Sequence, residues 1–486
     1  MNYLGIDLGT SSVKLILMRA DGVILRTVSR AYPLSMPHTG WSEQAPEDWW
    51  SNTKDGIREL LRGMDPTQLA GVSFGGQMHG LVMLDKDDNV IRPAILWNDG
   101  RTSEETAWLN ETVGRDTLAR CTANIAFAGF TAPKLLWVKK HEPENFARIA
   151  KIMLPKDYLA YRMSGCHCTD YSDASGMLLL DVANKCWSRE IADICGVDMA
   201  WLPELHESYD VVGTLLPSVA AELNLSEKVK IIAGAGDNAA AAIGTGTVRN
   251  GSCNVSVGTS GTVFIASDSF RLPENNAIHS FCHATGKYHL MGCILSAASC
   301  NKWWVEDILR SGDFTAEQSG FVPLGDNEVL FAPYLMGERT PHNDAAVRGA
   351  FACLSLNTTR PEMAQAIMEG VAYAIRDSLE IARSLGVEIE RTKICGGGAK
   401  STVWKQIFAN VLNLPVDSIA TEEGPGLGAA MLAAVGCGEY RDTAEIAEKM
   451  VKVIGTVMPT AEIVAKYDRG YRKYVRLYPA LRSLNG

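Results

Sequence analysis

The 486-residue sequence predicts an α/β protein built as two similar lobes facing one cleft. Three observations predict it. Apolar, β-branched stretches alternate with helical segments along the chain, the pattern of βα architecture and not of an all-β or all-α fold. The same tripeptide, Gly-Thr-Ser, interrupts a pair of apolar strands at residues 9–11 and again at 258–260. Gly258 follows Gly9 by 249 residues (258 − 9), about half the chain, which is what duplication of one α/β unit leaves behind.

Each element has a local reason. Residues 3–29, YLGIDLGTSSVKLILMRADGVILRTVS, read as a three-stranded meander, with Asp21-Gly22 as the second turn. Pro46 followed by Glu47 and Asp48 opens a helix with a preset φ and negative charge at its positive end; it stops near Gly63. The strand-like GVSFGG (71–76) and LVMLD (81–85) lead to helical segments around 103–120 and 133–150. VKII (229–232) enters AGAGDNAAAAIGTG: a strand, a Gly-rich turn and an Ala-rich helix. CNVSVGTSGTVFIA (253–266) is a second strand–GTS–strand unit. Then come the strand RTKIC, the turn GGGAKS, a helix near 402–412, the strand LPVDSIA, and EEGPGLGAAMLAAVGCG as a loop feeding a buried helix. Residues 459–486, with Tyr467, Tyr471, Tyr474 and Leu477 at helical spacing, read as a surface helix packed back on the body.

Composition excludes several classes. The chain carries 46 Lys plus Arg against 56 Asp plus Glu, a net charge of −10, and no long run of like charges, so it lacks the basic footprint of a nucleic-acid binder. With 47% apolar residues and a length of two or three domains at roughly 150 residues each, it buries its own cores. Asp7 breaks the only early apolar run, so no secretory signal is written and a cytoplasmic location is expected. No window is long and apolar enough to span a bilayer. The 12 cysteines form no CxxC pair; His279, Cys282, His283 and His289 span a strand–turn–strand and are expected to pack or hydrogen-bond, not to bind zinc.

The two GTS tips offer clustered backbone N–H groups and hydroxyls with little bulk, a surface suited to phosphate oxygens. Asp7 precedes the first tip, where a carboxylate can hold Mg²⁺ through water. GAGDNA (234–239) superficially fits a dinucleotide fingerprint, but no acidic residue occurs between Asp237 and Asp268, where the ribose partner belongs. A Walker A loop is also absent, since Lys400 follows Ala399 and not Gly. What GAGDN offers is Asp237 at a strand end beside Gly234 and Gly236, able to accept a proton from a substrate hydroxyl during phosphoryl transfer. Its bland alternative is a cap for the Ala-rich helix.

These residues resemble the FGGY family of carbohydrate kinases along essentially the whole chain. GIDLGTSSVK resembles the family's first phosphate segment, GFTAPKLLWVKKH (129–141) its first signature, and GAFACLSLNTTRPEMAQAIME (349–369) its second. GGQMHG (75–80), WNDGR (97–101), LPKDYL (154–159), SDASG (172–176), GAGDNAA and MGERTPHN (336–343) are similar to the branch that phosphorylates D-xylulose. The resemblance implies an actin-like ATPase architecture: two ribonuclease-H-like domains, 1–246 and 247–486, flanking a central cleft. It implies ATP and Mg²⁺ as cofactors and transfer to the sugar's 5-hydroxyl, with Asp237 as catalytic base. L-ribulose, L-xylulose, gluconate and glycerol are alternative acceptors, and a non-metabolic actin-like ATPase is a distant one. Residue by residue, it places Met78, His79, Asp237 and Asn238 at the sugar and Asp7 at the metal. Thr10, Ser11, Ser12 and Lys14 fall in the first phosphate segment, Gly258, Thr259 and Ser260 in the second, and Gly397, Gly398 and Ala399 at adenosine. His79, as a neutral imidazole, can donate to one hydroxyl and accept from another. Trp97 is weighed against filling the core, Arg101 against pairing with a carboxylate, and Glu338 and Arg339 against bracing the cleft. A sugar, ATP and at most a second copy of the chain are the partners implied; nucleic acid and membrane are not.

Overall fold

A computed structural model of the chain describes residues 1–421 and 423–484. The meander is present as β1 (Asn2–Leu8), β2 (Ser12–Arg19) and β3 (Ile24–Ala31). Helix α1 (Pro46–Leu60) buries Trp49, Thr53, Ile57 and Leu60, a single face at helical spacing, against it. Strands β4 (Leu69–Gly76), β5 (Val211–Thr214), β6 (Lys230–Ile232) and β7 (Ala235–Gly236) complete a seven-stranded sheet in the order β5-β6-β4-β1-β2-β3, with β7 also pairing β4.

The second sheet repeats the first. Its members are β8 (Cys253–Val257), β9 (Gly261–Ser267), β10 (His279–Cys282), β11 (Tyr288–Ile294), β12 (Thr392–Cys395), β13 (Val416–Ile419) and β14 (Val453–Val457), in the order β10-β11-β9-β8-β12-β13-β14. From β3 to β5 the pairings run antiparallel, antiparallel, parallel, parallel, antiparallel. From β11 to β14 they run in the same sequence. Both GTS tips therefore join the first two strands of equivalent units, as the 249-residue offset predicts.

Two helices bring the halves into contact. Helix α2 (Asp237–Gly244) is the predicted Ala-rich helix, and α3 (Gly424–Gly436) is the predicted buried one. Although α3 lies late in the chain, it packs on β1, β4 and α2 of the first lobe. A Cβ at Gly428 would stand 1.8 Å from the Ala240 carbonyl oxygen, one at Gly244 2.2 Å from that of Gly424, and one at Gly5 2.1 Å from that of Gly426. Small residues on all three elements let backbone meet backbone.

The C-terminal stretch is helical and packs back on the body, as expected, though as two helices, Ala461–Tyr474 and Leu477–Arg482. Tyr467 and Tyr474 are the residues it buries in the second lobe's core. Tyr467 donates to Glu369 at 2.8 Å, so its ring is core and its hydroxyl has a partner. Residues 485–486, within that stretch, and Glu422, in the loop before α3, lie outside the described residues. Among the described residues no helix is long and apolar enough to cross a membrane.

Candidate active site

Parallel pairing sets the first carboxylate beside the second. Asp7 is in register with Gly75 on β4, and Gly75 pairs on its other side with Ala235, so Asp7 and the β7–α2 junction flank one strand at the same sheet end. At ~4.8 Å per strand this separates the two backbones by roughly 10 Å. Gly236 is the cap residue of α2 and Asp237 its first helical residue, so Asp237 is not the N-cap. Its Oδ1 accepts from the Asn238 backbone N–H at 2.7 Å and from Asn238 Nδ2 at 2.9 Å. Oδ2 accepts no hydrogen bond among the described residues.

Electrostatics distinguish the two acids. Burial pushes Asp237 up to about 6, against the lowering effect of the Asn238 hydrogen bonds. Asp7 is pushed up to about 7, first by burial and then by the charge of Asp237, while Lys14 opposes the rise. Lys14 sits opposite Asp7 in the β1–β2 pairing and forms an ion pair with Glu423 at the approach to α3.

The first tip is braced from several sides. Gly9 N–H donates to the Ser12 carbonyl at 3.0 Å, Gln44 Nε2 to the Thr10 carbonyl at 2.6 Å, and Tyr32 N–H to the Ser11 carbonyl at 3.2 Å. Trp97, for which core filling was the alternative to a place at the site, is 45% exposed and donates from Nε1 to Thr10 Oγ1 at 2.9 Å. Its indole N–H needs an acceptor, and the tip hydroxyl supplies one. In the second tip, Gly258 N–H donates to the Ser260 carbonyl at 3.0 Å and Ser299 Oγ to the Thr259 carbonyl at 2.7 Å.

Two cavities adjoin along the turn at 396–397. One of ≈ 330 Å³ is lined by Asp237 and Asn238 from the first lobe, by Ser256, Thr262 and Gly396 from the second, and by Gly424 at the start of α3. The other, of ≈ 800 Å³, is lined by Thr259, Gly397, Gly398, Ser401, Thr402 and Trp404, among others. Thr259 of the second tip and the expected adenosine segment thus share one space of nucleoside size. Ala399 is not among the residues lining it and packs against the second lobe's core.

On the sugar side, Met78 is buried against the β7 turn: a Cβ on Gly236 would come within 3.0 Å of its Sδ. His79 holds a left-handed φ of 70° and stacks on Phe130 at 4.7 Å. Its Nδ1 lies 2.8 Å from the Gly176 carbonyl, and burial lowers its pKa to about 3. A carbonyl only accepts, so Nδ1 carries the proton and Nε2 is left as an acceptor; the expected double role reduces to accepting from one hydroxyl. Arg101 is a brace, donating to both oxygens of Asp99 at 2.8 and 2.7 Å. Glu338 is buried and accepts the backbone N–H groups of Leu295 and Arg339, whereas Arg339 reaches across to the first lobe, over the Phe127 ring at 5.1 Å. His279, His283 and His289 pack and hydrogen-bond, as expected: His283 Nε2 meets the Thr247 carbonyl at 2.9 Å, and His289 stacks on Phe264.

Sequence reasoning missed Gln44. It sits in a two-residue strand with no motif, yet its Oε1 also accepts from Gln77 Nε2 at 3.1 Å, linking the first GTS tip to the residue before Met78.

Sequence models of the FGGY family match residues 2–244 with its N-terminal domain and 253–437 with its C-terminal domain. The chain belongs to the FGGY family of carbohydrate kinases. It is 40% identical to the xylulose kinase of Bacillus subtilis (strain 168) over 491 aligned residues, covering 100% of this chain and 98% of that one. The crystal structure of a xyloylose kinase from Brucella ovis superposes with a TM-score of 0.95 at 39% identity, covering 100% of both chains. A gluconate kinase from Lactobacillus acidophilus superposes with a TM-score of 0.93 at 26% identity, over 98% of this chain and 97% of that one. The family assignment makes this chain a two-domain carbohydrate kinase of actin-like ATPase architecture that uses ATP.

Proposed function

We propose that this FGGY kinase transfers the γ-phosphoryl group of ATP to the 5-hydroxyl of D-xylulose, giving D-xylulose 5-phosphate and ADP. The observation that carries the reading is Asp237: one carboxylate oxygen fixed by Asn238, the other free in a cavity walled by both lobes. In this reading the lobes are residues 1–246 and 247–486. Asp237 Oδ2 accepts the hydroxyl proton as that oxygen attacks phosphorus in line, the one base such a transfer requires. Met78 and His79 shape the sugar pocket, with Nε2 of His79 accepting a hydroxyl hydrogen, and Asn238 holds the base.

Thr10, Ser11, Ser12 and Lys14, with Gly258, Thr259 and Ser260, grip the phosphates from two lobes, while Gly397 and Gly398 form the adenosine side and Ala399 packs against the core. Asp7 fits Mg²⁺. Among the described residues no group of three or more His, Cys, Asp or Glu converges on a metal position. A lone carboxylate beside the phosphates matches an ion that keeps most of its waters, and a cation there relieves the burial and repulsion that raise Asp7. Bound Mg²⁺ supplies charge neutralisation of the phosphate oxygens.

The high TM-score to a gluconate kinase means that fold alone does not select the acceptor; the reading of D-xylulose rests on the higher identity to xylulose kinases. An ADP-coupled assay over D-xylulose, L-ribulose, L-xylulose, gluconate and glycerol tests it. D-Xylulose is expected to give the highest kcat/KM, and a higher value for any other acceptor refutes the assignment.

A further inference from the structure

The β7 turn that delivers Asp237 is held from behind by a fully buried polar array that the reaction itself does not touch. Lys156, Asp170, Ser172 and Ser208 are each at most 1% exposed. Lys156 Nζ is 2.6 Å from Asp157 Oδ1, 2.9 Å from Asp170 Oδ1 and 3.5 Å from the Ala233 carbonyl. Asp170 Oδ2 accepts from Ser172 N–H at 2.9 Å, Ser172 Oγ at 2.5 Å and Ser208 Oγ at 2.7 Å. Ser172 Oγ in turn accepts the Gly236 N–H at 3.2 Å, and the Ser208 carbonyl accepts the Gly234 N–H at 3.0 Å. Three successive points of the segment 233–236 are thus fixed: the Ala233 carbonyl by the lysine, the Gly234 amide by Ser208, the Gly236 amide by Ser172.

The ammonium faces three buried carboxylates, Asp157, Asp170 and, at 3.7 Å, Asp173. Burying an ammonium is costly unless it is paired, and an apolar side chain of similar volume would fill the space beside Gly76, where a Cβ would meet Lys156 Cβ at 2.7 Å. What the lysine does that an apolar chain could not is offset these carboxylates, Asp170 among them, whose two oxygens are divided between Lys156 and the Ser172 and Ser208 donors. Gly234, at a φ of 80° and with a Cβ position 2.4 Å from the Phe74 carbonyl oxygen, leaves the turn no side chain of its own to hold it.

We infer that the Lys156–Asp170–Ser172 relay is a positioning device that fixes the backbone of Asp237 for proton acceptance. The inference rests on the proposed role of Asp237 as base. Ser172→Ala removes the contact to Gly236 while leaving the lysine–aspartate pair intact, and Ser172→Thr restores a hydroxyl.

The test measures steady-state kinetics of both variants and of Asp237→Asn with D-xylulose and MgATP. Ser172→Ala is expected to lose kcat by roughly 100-fold, the cost of a displacement of about 1 Å at a reacting group. KM for sugar and for ATP should stay at wild-type values and Ser172→Thr should recover most of the rate. A wild-type kcat in Ser172→Ala, a loss that falls on KM, or no recovery in Ser172→Thr overturns the inference. If Asp237→Asn is inactive while Ser172→Ala is normal, only the positioning role fails. An active Asp237→Asn removes the base assignment and this inference with it.

Discussion

At Asp237, burial and hydrogen bonding act on the carboxyl in opposite directions. Burial favours the neutral acid, the two Asn238 donors favour the anion, and the result is about 6. A base must be ionised to accept a proton, so kcat/KM for the sugar is expected to rise with pH through about 6 and level off above it. A profile flat from pH 5 to 8 would contradict this. Glu369 gives a second, independent pH effect. It is buried against Gln365 and Tyr467, and burial raises its carboxyl from 4.5 to about 7. The folded state then holds a proton that the unfolded state releases, so its contribution to stability is present below about 4.5 and is lost as pH rises to about 7. Wild-type Tm should therefore fall between pH 5 and pH 8, and Glu369→Gln should shrink that fall; an unchanged fall in the variant would contradict the assignment. Asp237 was legible as a residue because GAGDN places an acid at a strand end. The state of His79 was not, since only the distant Gly176 carbonyl fixes its tautomer.

Among the elements, the α2–α3 crossing depends on glycine more than any other contact. With the Gly428 Cβ position 1.8 Å from the Ala240 carbonyl oxygen, a methyl group has no room and the helices must separate. Gly428→Ala is expected to cost about 1–3 kcal/mol in denaturant unfolding, as overpacking does, and to lower kcat because α2 carries Asp237. Wild-type stability in this variant would show that the helices do not meet so closely. The hairpins and most helices were legible because period-two and helical patterns are local, and because Pro46 and the GTS tips mark boundaries. The placement of α3 was not: GPGLGAAMLAAVG identifies a buried helix, but nothing within the segment says that it packs on the sheet of the opposite half. The C-terminal tyrosines show the same division: their spacing specifies the helix face that packs back, while the partner of Tyr467, Glu369 about a hundred residues earlier, is set by the fold.

For the whole molecule, the repeated order of strand pairings gives each half the same strand–GTS–strand unit, on which the proposed two-sided grip of a nucleotide relies. Each unit ends its first hairpin in a GTS tip, and Thr259 of the second tip lines the nucleoside-sized cavity. The duplication could be inferred from the chain because two tripeptides survive at equivalent places; the adjacency of the two cavities could not, because Gly396 joins Asp237 and Ser256 from a segment far along the chain. The proposed reaction turns on that shared cavity and on the one oxygen that Asp237 leaves free of hydrogen bonds. Its most direct test is turnover of Asp237→Asn beside calorimetric titration with a non-hydrolysable ATP analogue and Mg²⁺. A kcat about 10²- to 10⁴-fold below wild type, the range for a lost general base, is expected with nucleotide affinity unchanged. Near-normal turnover by a variant that still binds nucleotide would contradict the account.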